Sequence, residues 1–301
     1  MKETVFEAKG LTKIYGKQRP LDGIDLMIYK GDICGFIGKN GAGKTTLMRI
    51  ATGLSLPNEG TCSTFGDKTL GANERMGCLI DYPSFFSDLS ARDNLKYYCI
   101  QKGITDLTKI DRALERVKLS DTGKKKYRNF SLGMKQRMGI AYAIMDDPEF
   151  LILDEPINGL DPIGISDMRD LFIDLNENHN TTILLSSHIL VELYNLATRF
   201  VFIDNGKIIK DITKKELDEE CRVSIKIRCS DVSRAVVALE NEAHIKEYTV
   251  LSDSDFNIYD EISVEAVNSI LSSNGIDVYS AVKNGISLED YFKDLIGGES
   301  V

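Results

Sequence analysis

The sequence has no stretch approaching the roughly 18 consecutive apolar residues that a membrane-spanning helix requires. Its first residues, MKETVFEAKG, carry no apolar signal segment, so a chain soluble by itself is expected. Paired cysteines are missing too. Cys34, Cys62, Cys78, Cys99, Cys221 and Cys229 form no CxxC pair and no zinc-site spacing. That speaks against a disulfide framework or structural metal, and for buried free thiols in a reducing, cytoplasmic compartment. Basic charge is also in short supply. There are 37 Lys and Arg against 46 Asp and Glu, a formal charge of −9, whereas phosphate backbones select for basic patches. No nucleic-acid partner is expected. The sequence holds no internal repeat, no low-complexity stretch and no heptad insertion.

What is present is apolar material for one large core or two smaller ones, at 43% of 301 residues. The charge divides it. Residues 211–301 carry 9 Lys and Arg against 19 Asp and Glu, while the preceding part is nearly balanced. A boundary is therefore expected near Lys214 to Glu220, where KKELDEE reads as a solvated helix or linker. The expected domains are 1–215 and 216–301.

Within the first, Ile24, Leu26 and Ile28 alternate with polar residues, and ICGFIG follows a Lys-Gly-Asp turn; both read as strands. Thr46 to Thr52 has helical apolar spacing and stops at Gly53. FLILD and TTILLSS are short, nearly all-apolar runs separated by a helical pattern from Ile163 to Asn178, the mark of a βαβ unit with buried parallel strands. Between Leu89 and Met145 the pattern is mostly helical, predicting a helical subdomain inserted in an α/β core. In the acidic tail the order reads strand, helix, strand, strand, helix, strand, with strands expected at 222–228, 245–251, 256–260 and 276–282 and helices at 232–239 and 264–271. This predicts a small ferredoxin-like α+β domain, closed by a helix over 287–295.

GKNGAGKT, Gly38 to Thr45, fits the pattern GxxxxGK[ST] in full, between a strand and a helix. Gly38, Gly41 and Gly43 allow a tight turn whose N–H groups converge on phosphate oxygens, with Asn40 and Thr46 in the same loop and the positive end of the helix behind it. Lys44 is expected at the β- and γ-phosphates of ATP and the Thr45 hydroxyl at Mg²⁺. Such a loop needs a carboxylate at the end of a buried strand to hold the metal, and FLILDE supplies Asp154. The adjacent Glu155 is placed to act on an attacking water as general base.

With these residues in place, positions 3 to 210 resemble the ATP-binding cassette family, P-loop NTPases with a mixed-sheet core and a helical subdomain. Its members pair head to tail, so that each ATP lies between one subunit's phosphate loop and the other's signature motif. The resemblance extends to Tyr15 in LTKIYG, matching the aromatic that stacks on adenine, and to SLGMKQR at Ser131 to Arg137, matching the signature. It also takes in Asn158-Gly159-Leu160-Asp161, matching the loop by which partners touch, and His188 in LLSSHIL, matching the switch histidine at the γ-phosphate. Two positions depart from the pattern. Leu132 and Met134 replace the first signature glycine and its Gln, leaving Ser131 and Gly133 to donate to phosphate. Asp81 stands where the family has Gln after the strand Met76 to Ile80. It is expected either to ligate Mg²⁺ or its water, or only to turn the chain before Pro83.

The acid at Asp81 and the signature form SLGMKQR are similar to cassettes of bacterial exporters of bacitracin- and lantibiotic-like peptides. The resemblance implies an ATPase on the inner face of the cell membrane, bound to a separate integral-membrane permease and exporting an antimicrobial peptide, drug or lipid-like substrate. It also implies pairing as a homodimer or with a paralogous cassette. Two other readings stand beside it: a soluble cassette ATPase acting on ribosomes or DNA, and a cassette regulated through a partner-binding C-terminal domain.

Overall fold

In the computed structural model, which describes residues 2–67, 75–80, 84–188, 190–285 and 287–297, the chain divides into two units, Met1–Lys214 and Lys215–Val301. The first unit opens with the long strands β1 (Thr4–Tyr15) and β2 (Gln18–Tyr29), followed by β3 (Ile33–Ile37), helix α1 (Lys44–Ala51) and β4 (Glu59–Thr64). β1 pairs antiparallel with β2 on one side and β4 on the other, giving a three-stranded sheet.

A second sheet holds the site. Its further strands are β5 (Met76–Leu79), β6 (Phe150–Leu153), β7 (Thr182–Ser187), β8 (Arg199–Asp204) and β9 (Lys207–Thr213), in the order β5-β6-β7-β3-β8-β9. All neighbours run parallel except β9, which returns antiparallel along β8. Every residue of β3, β6 and β7 is buried, the burial expected of parallel strands covered on both faces. Phe36, Phe150, Ile152, Leu184 and Val201 of this sheet share one core with Phe6, Ile24 and Ile28 of the antiparallel sheet and with Leu47 and Met48 of α1. The shared core fixes the phosphate-loop helix between the sheets, and full burial of each such side chain contributes about 1.5–3 kcal/mol.

Between β5 and β6 stand three helices, α2 (Ala91–Lys102), α3 (Thr108–Arg116) and α4 (Leu132–Ile144). Ser90 caps α2 by accepting from Asp93 N–H, and Gly103 ends it in the left-handed conformation. α4 lies close on β5. A Cβ at Gly77 would fall 2.1 Å from the carbonyl oxygen of Ala143, and one at Gly139 would fall 2.9 Å from Leu79. Glycine at both positions is what lets helix and strand approach. After β6 come α5 (Pro162–Glu177), capped by Asp161, and, beyond β7, the short α6 (Leu190–Tyr194).

The second unit begins in α7 (Lys214–Cys221), the KKELDEE segment, in which Leu217 is the buried residue. It continues through β10 (Ser224–Cys229), α8 (Val232–Ala243), β11 (Tyr248–Val250), β12 (Asp255–Ile258), α9 (Val264–Ser273), β13 (Val278–Asn284) and α10 (Leu288–Gly297). Its sheet has the order β11-β12-β10-β13 with antiparallel neighbours throughout. Ile225, Ile227, Phe256 and Ile258 pack there against Val236, Leu239, Val267 and Leu271 of α8 and α9. β11 is shorter than the expected 245–251 strand. His244 ends α8 at φ 54°, and Ile245 folds back into the core with its N–H directed to Leu239 O, so pairing starts only at Tyr248.

All six cysteines are free, with Cys34, Cys62, Cys99 and Cys229 buried and Cys78 and Cys221 half-buried. Burial pushes the Cys34 and Cys62 thiols up to about 12, which keeps them protonated and unreactive.

Candidate functional site

The loop between β3 and α1 is shaped by its glycines, each for its own reason. A Cβ at Gly43 would lie 2.1 Å from Pro20 O, and the residue sits at φ 116°; a Cβ at Gly38 would lie 2.4 Å from Ile203 O. Gly41 has open space around it and is required by its φ of 85° alone. As N-cap of α1, Gly43 brings no side chain to the first-turn N–H groups of Lys44, Thr45 and Thr46. These donors and the helix dipole face the loop, the arrangement that binds an anion. Asn40 is exposed beside them. Lys44 is buried, and its Nζ donates to Gly38 O at 2.7 Å and Lys39 O at 3.3 Å. The ammonium is thus folded back over the loop.

The carboxylates reach the loop through sheet order. β6, β7 and β3 are parallel neighbours, so their ends at Leu153, Ser187 and Ile37 lie along one edge of the sheet. Asp154 Oδ2 accepts the Thr45 hydroxyl at 2.6 Å and Asp154 Oδ1 the Ser186 hydroxyl at 2.6 Å. Glu155 takes φ 46°, a conformation costing a non-glycine residue about 1–2 kcal/mol, and its carboxylate is turned toward the loop. Oε1 lies 3.6 Å from Lys44 Nζ. Oε2 lies 3.1 Å from His188 Nδ1 and accepts Asn158 Nδ2 at 3.2 Å. Through Thr45 and Ser186, the loop lysine, Asp154, Glu155 and His188 form one connected cluster.

Other expected residues stand apart from that cluster. Tyr15 is exposed, its hydroxyl 3.3 Å from Ser55 Oγ and its ring under Lys13 Nζ at 4.9 Å. Ser131 caps α4, accepting from Met134 N–H at 3.3 Å. Gly133 adjoins Leu160, and the exposed Leu132 lies against Gly159, where a Cβ would fall 2.9 Å from Leu132 Cδ2. The altered signature position thus abuts the 158–161 loop of its own chain. Asp161 is occupied in capping α5 through Gly164 N–H at 2.9 Å. Asp81 lies outside the described residues.

Two residues inside the quoted segments, to which the sequence reading gave no role, join the site. Gln136 is buried on α4 and donates to Pro156 O at 2.7 Å and Glu155 O at 3.4 Å, tying the signature helix to the turn after the acids. Ser186, also buried, donates to Asp154 and accepts the Glu155 N–H at 2.8 Å. The signal for Gln136 was an amide on the apolar face of a helix. For Ser186 it was a hydroxyl at the end of TTILLSS, one strand over from FLILDE.

The family model described as ABC transporter matches residues 21–158. The bacitracin transport ATP-binding protein BcrA of Bacillus licheniformis is 40% identical over 99% of this chain and 99% of its own length. The lantibiotic transport ATP-binding protein SrtF of Streptococcus pyogenes is 40% identical over 71% of this chain and 92% of its own. Among solved structures, an ATP-binding subunit of an ABC transporter superposes with a TM-score of 0.63 at 26% identity, covering 71% of this chain and 92% of its own. MJ0796, a bacterial ABC transporter cassette solved as a dimer, gives 0.63 at 22% identity over 69% of this chain and 98% of its own, a likeness of fold. With a phosphate loop, paired acids and a histidine joined on one parallel sheet edge and this similarity along the whole chain, the protein belongs to the ABC transporter family of ATP-binding subunits.

Proposed function

We propose that this chain hydrolyses ATP to power a membrane exporter of peptide antibiotics or drug-like molecules. The observation that carries the reading is the convergence of Thr45, Asp154, Glu155, Lys44 and His188 at one sheet edge. ABC ATP-binding subunits are ATPases in general, and the relatives include proteins named for bacitracin, lantibiotic and daunorubicin transport or resistance. In this reading the N–H groups from Gly38 to Thr46 and the Lys44 ammonium hold the β- and γ-phosphates, and Tyr15 stacks on adenine. Thr45 donates its hydroxyl hydrogen bond to Asp154 Oδ2, which leaves the oxygen lone pairs of Thr45 available. A hydroxyl and a carboxylate are the hard donors that Mg²⁺ takes, so Thr45 and Asp154 would hold the ion, with Asp81 as a further oxygen ligand. Bound there, Mg²⁺ would neutralise phosphate charge. Glu155 accepts the proton of the attacking water, with its carboxylate aimed by His188 and Asn158.

Ser131 and Gly133 serve a second subunit's nucleotide, so the working form is a homodimer or a pair with a paralogous cassette, bound to an integral-membrane permease on the cytoplasmic face. The cassette spans 1–215, with its helical subdomain at about 89–145, and 216–301 is a ferredoxin-like accessory domain. The strand order β11-β12-β10-β13 with two helices supports that last assignment. A soluble ATPase acting on ribosomes or DNA finds no support in relatives named for transport. Co-expression with a candidate multi-span permease tests the reading. Resistance of a susceptible bacterium to a peptide antibiotic should rise with the wild-type chain and not with Glu155→Gln. Equal protection by both would contradict it.

A further inference from the structure

Asp154 and Glu155 are consecutive, yet they need different placements: one carboxylate beside the loop hydroxyl of Thr45, the other turned toward Lys44 and His188. Parallel pairing of β6 with β7 puts Leu153 opposite Leu185, and so brings Ser186 level with the first of the two acids. Ser186 is 0% exposed. Its hydroxyl has one proton, which goes to Asp154 Oδ1 at 2.6 Å, and its oxygen accepts the Glu155 N–H at 2.8 Å. Asp154 is consequently gripped on both oxygens, by Ser186 on one and by Thr45 on the other, which fixes the plane of the carboxylate. The second bond acts on backbone. Glu155 sits at φ 46°, where a non-glycine residue persists only if its surroundings hold it, and here the N–H is held by Ser186 and the carbonyl by Gln136. Only a group that donates and accepts at one atom can serve both acids, and in this strand that group is a hydroxyl.

We propose that Ser186 is a positioning residue for hydrolysis, aligning through one hydroxyl both the metal-side carboxylate Asp154 and the base Glu155. The proposal rests on the reading of Glu155 as base, and a control separates the two. Ser186→Ala in the full chain should lower kcat about 10- to 100-fold, the usual loss when a partner behind a metal or catalytic ligand is removed. It should also raise the Mg²⁺ concentration for half-maximal hydrolysis, while affinity for ATP measured in EDTA stays close to wild type. A merely structural role would not move the Mg²⁺ dependence and leave metal-free binding intact. Wild-type kcat and Mg²⁺ dependence in Ser186→Ala would overturn the proposal, as would a loss of metal-free ATP affinity in proportion to kcat. Should that variant fail to fold, Ser186→Cys carries the same test. A thiol fills the space but is a weak donor and acceptor, so the same fall is expected, and wild-type turnover would overturn the proposal. In parallel, Glu155→Gln is assayed. If it hydrolyses ATP normally, the reading of the base has failed; if it is inactive while Ser186→Ala is not, only the role of Ser186 has failed.

Discussion

His188 Nδ1 lies 3.1 Å from Glu155 Oε2. In the tautomer that carries a proton on Nδ1 this contact is a hydrogen bond to the carboxylate, and Nε2 is left to meet a further group. Histidine and glutamate therefore act as a unit, in which the acid fixes the ring and the ring aims the acid. His188→Ala should lower the hydrolysis rate by about 10²-fold or more while ATP affinity changes little. Steady-state kinetics beside equilibrium nucleotide binding check both halves, and a parallel fall in affinity would mean that the ring mainly holds ground-state nucleotide.

Gly43 and Gly41 should respond differently to the same substitution. Gly43→Ala drives a Cβ to 2.1 Å from Pro20 O at φ 116°, whereas Gly41→Ala meets no atom within 4 Å and carries only the strain of φ 85°. The first should abolish nucleotide binding. The second should cost about 1–2 kcal/mol and keep binding measurable. Nucleotide titration with thermal melts distinguishes them.

Asp167 on α5 bridges Lys118 at 2.7 Å and Arg137 at 2.9 Å. Hydrogen bonding to Lys118, with that to Arg137, holds its carboxyl below the ordinary 3.8. A carboxyl with a depressed folded pKa contributes stability that is present above its unfolded pKa and lost as pH falls through the folded one. Asp167→Ala should thus be less stable by about 1 kcal/mol at pH 7. That difference should persist down to pH 3.8 and fade at more acid pH. Denaturant melts across this range give the test.

All the motif residues lie before Lys214, so removal of Cys221 to Val301 should leave ATP affinity nearly unchanged. Binding of a fluorescent nucleotide to the truncated chain measures this. A large loss in a protein that remains folded would bring the acidic unit into the nucleotide site.

The phosphate loop was legible because its requirements are local: glycines where backbone must turn, a lysine and a hydroxyl at the helix start. The strands FLIL and TILLSS were legible because burial on both faces leaves an unbroken apolar run. β1 was not, since register shifts after Ala8 and Leu11 break its alternation, and β4 was not, since only Cys62 and Thr64 of EGTCST are buried. The first tail strand could be read from strict alternation over 222–228, but Ile245 looked like strand because an apolar residue folding back beneath a helix end carries the same signal. Ser186 escaped notice for another reason. Its part depends on which strand lies beside β6, and that is a property of sheet order, not of spacing along the chain.

In the proposed reaction Glu155 takes the proton from water at a site assembled by Lys44, Thr45, Asp154 and His188. Loss of a general base typically costs 10²- to 10⁴-fold, or about 3 to 5 kcal/mol of barrier. The direct measurement is single-turnover hydrolysis by purified Glu155→Gln with Mg²⁺ and ATP, read with sedimentation of the same sample. ATP should bind at wild-type affinity and be retained without hydrolysis, and a dimer should form only when ATP is present; this would establish Glu155 as the base. Hydrolysis at the wild-type rate would contradict it.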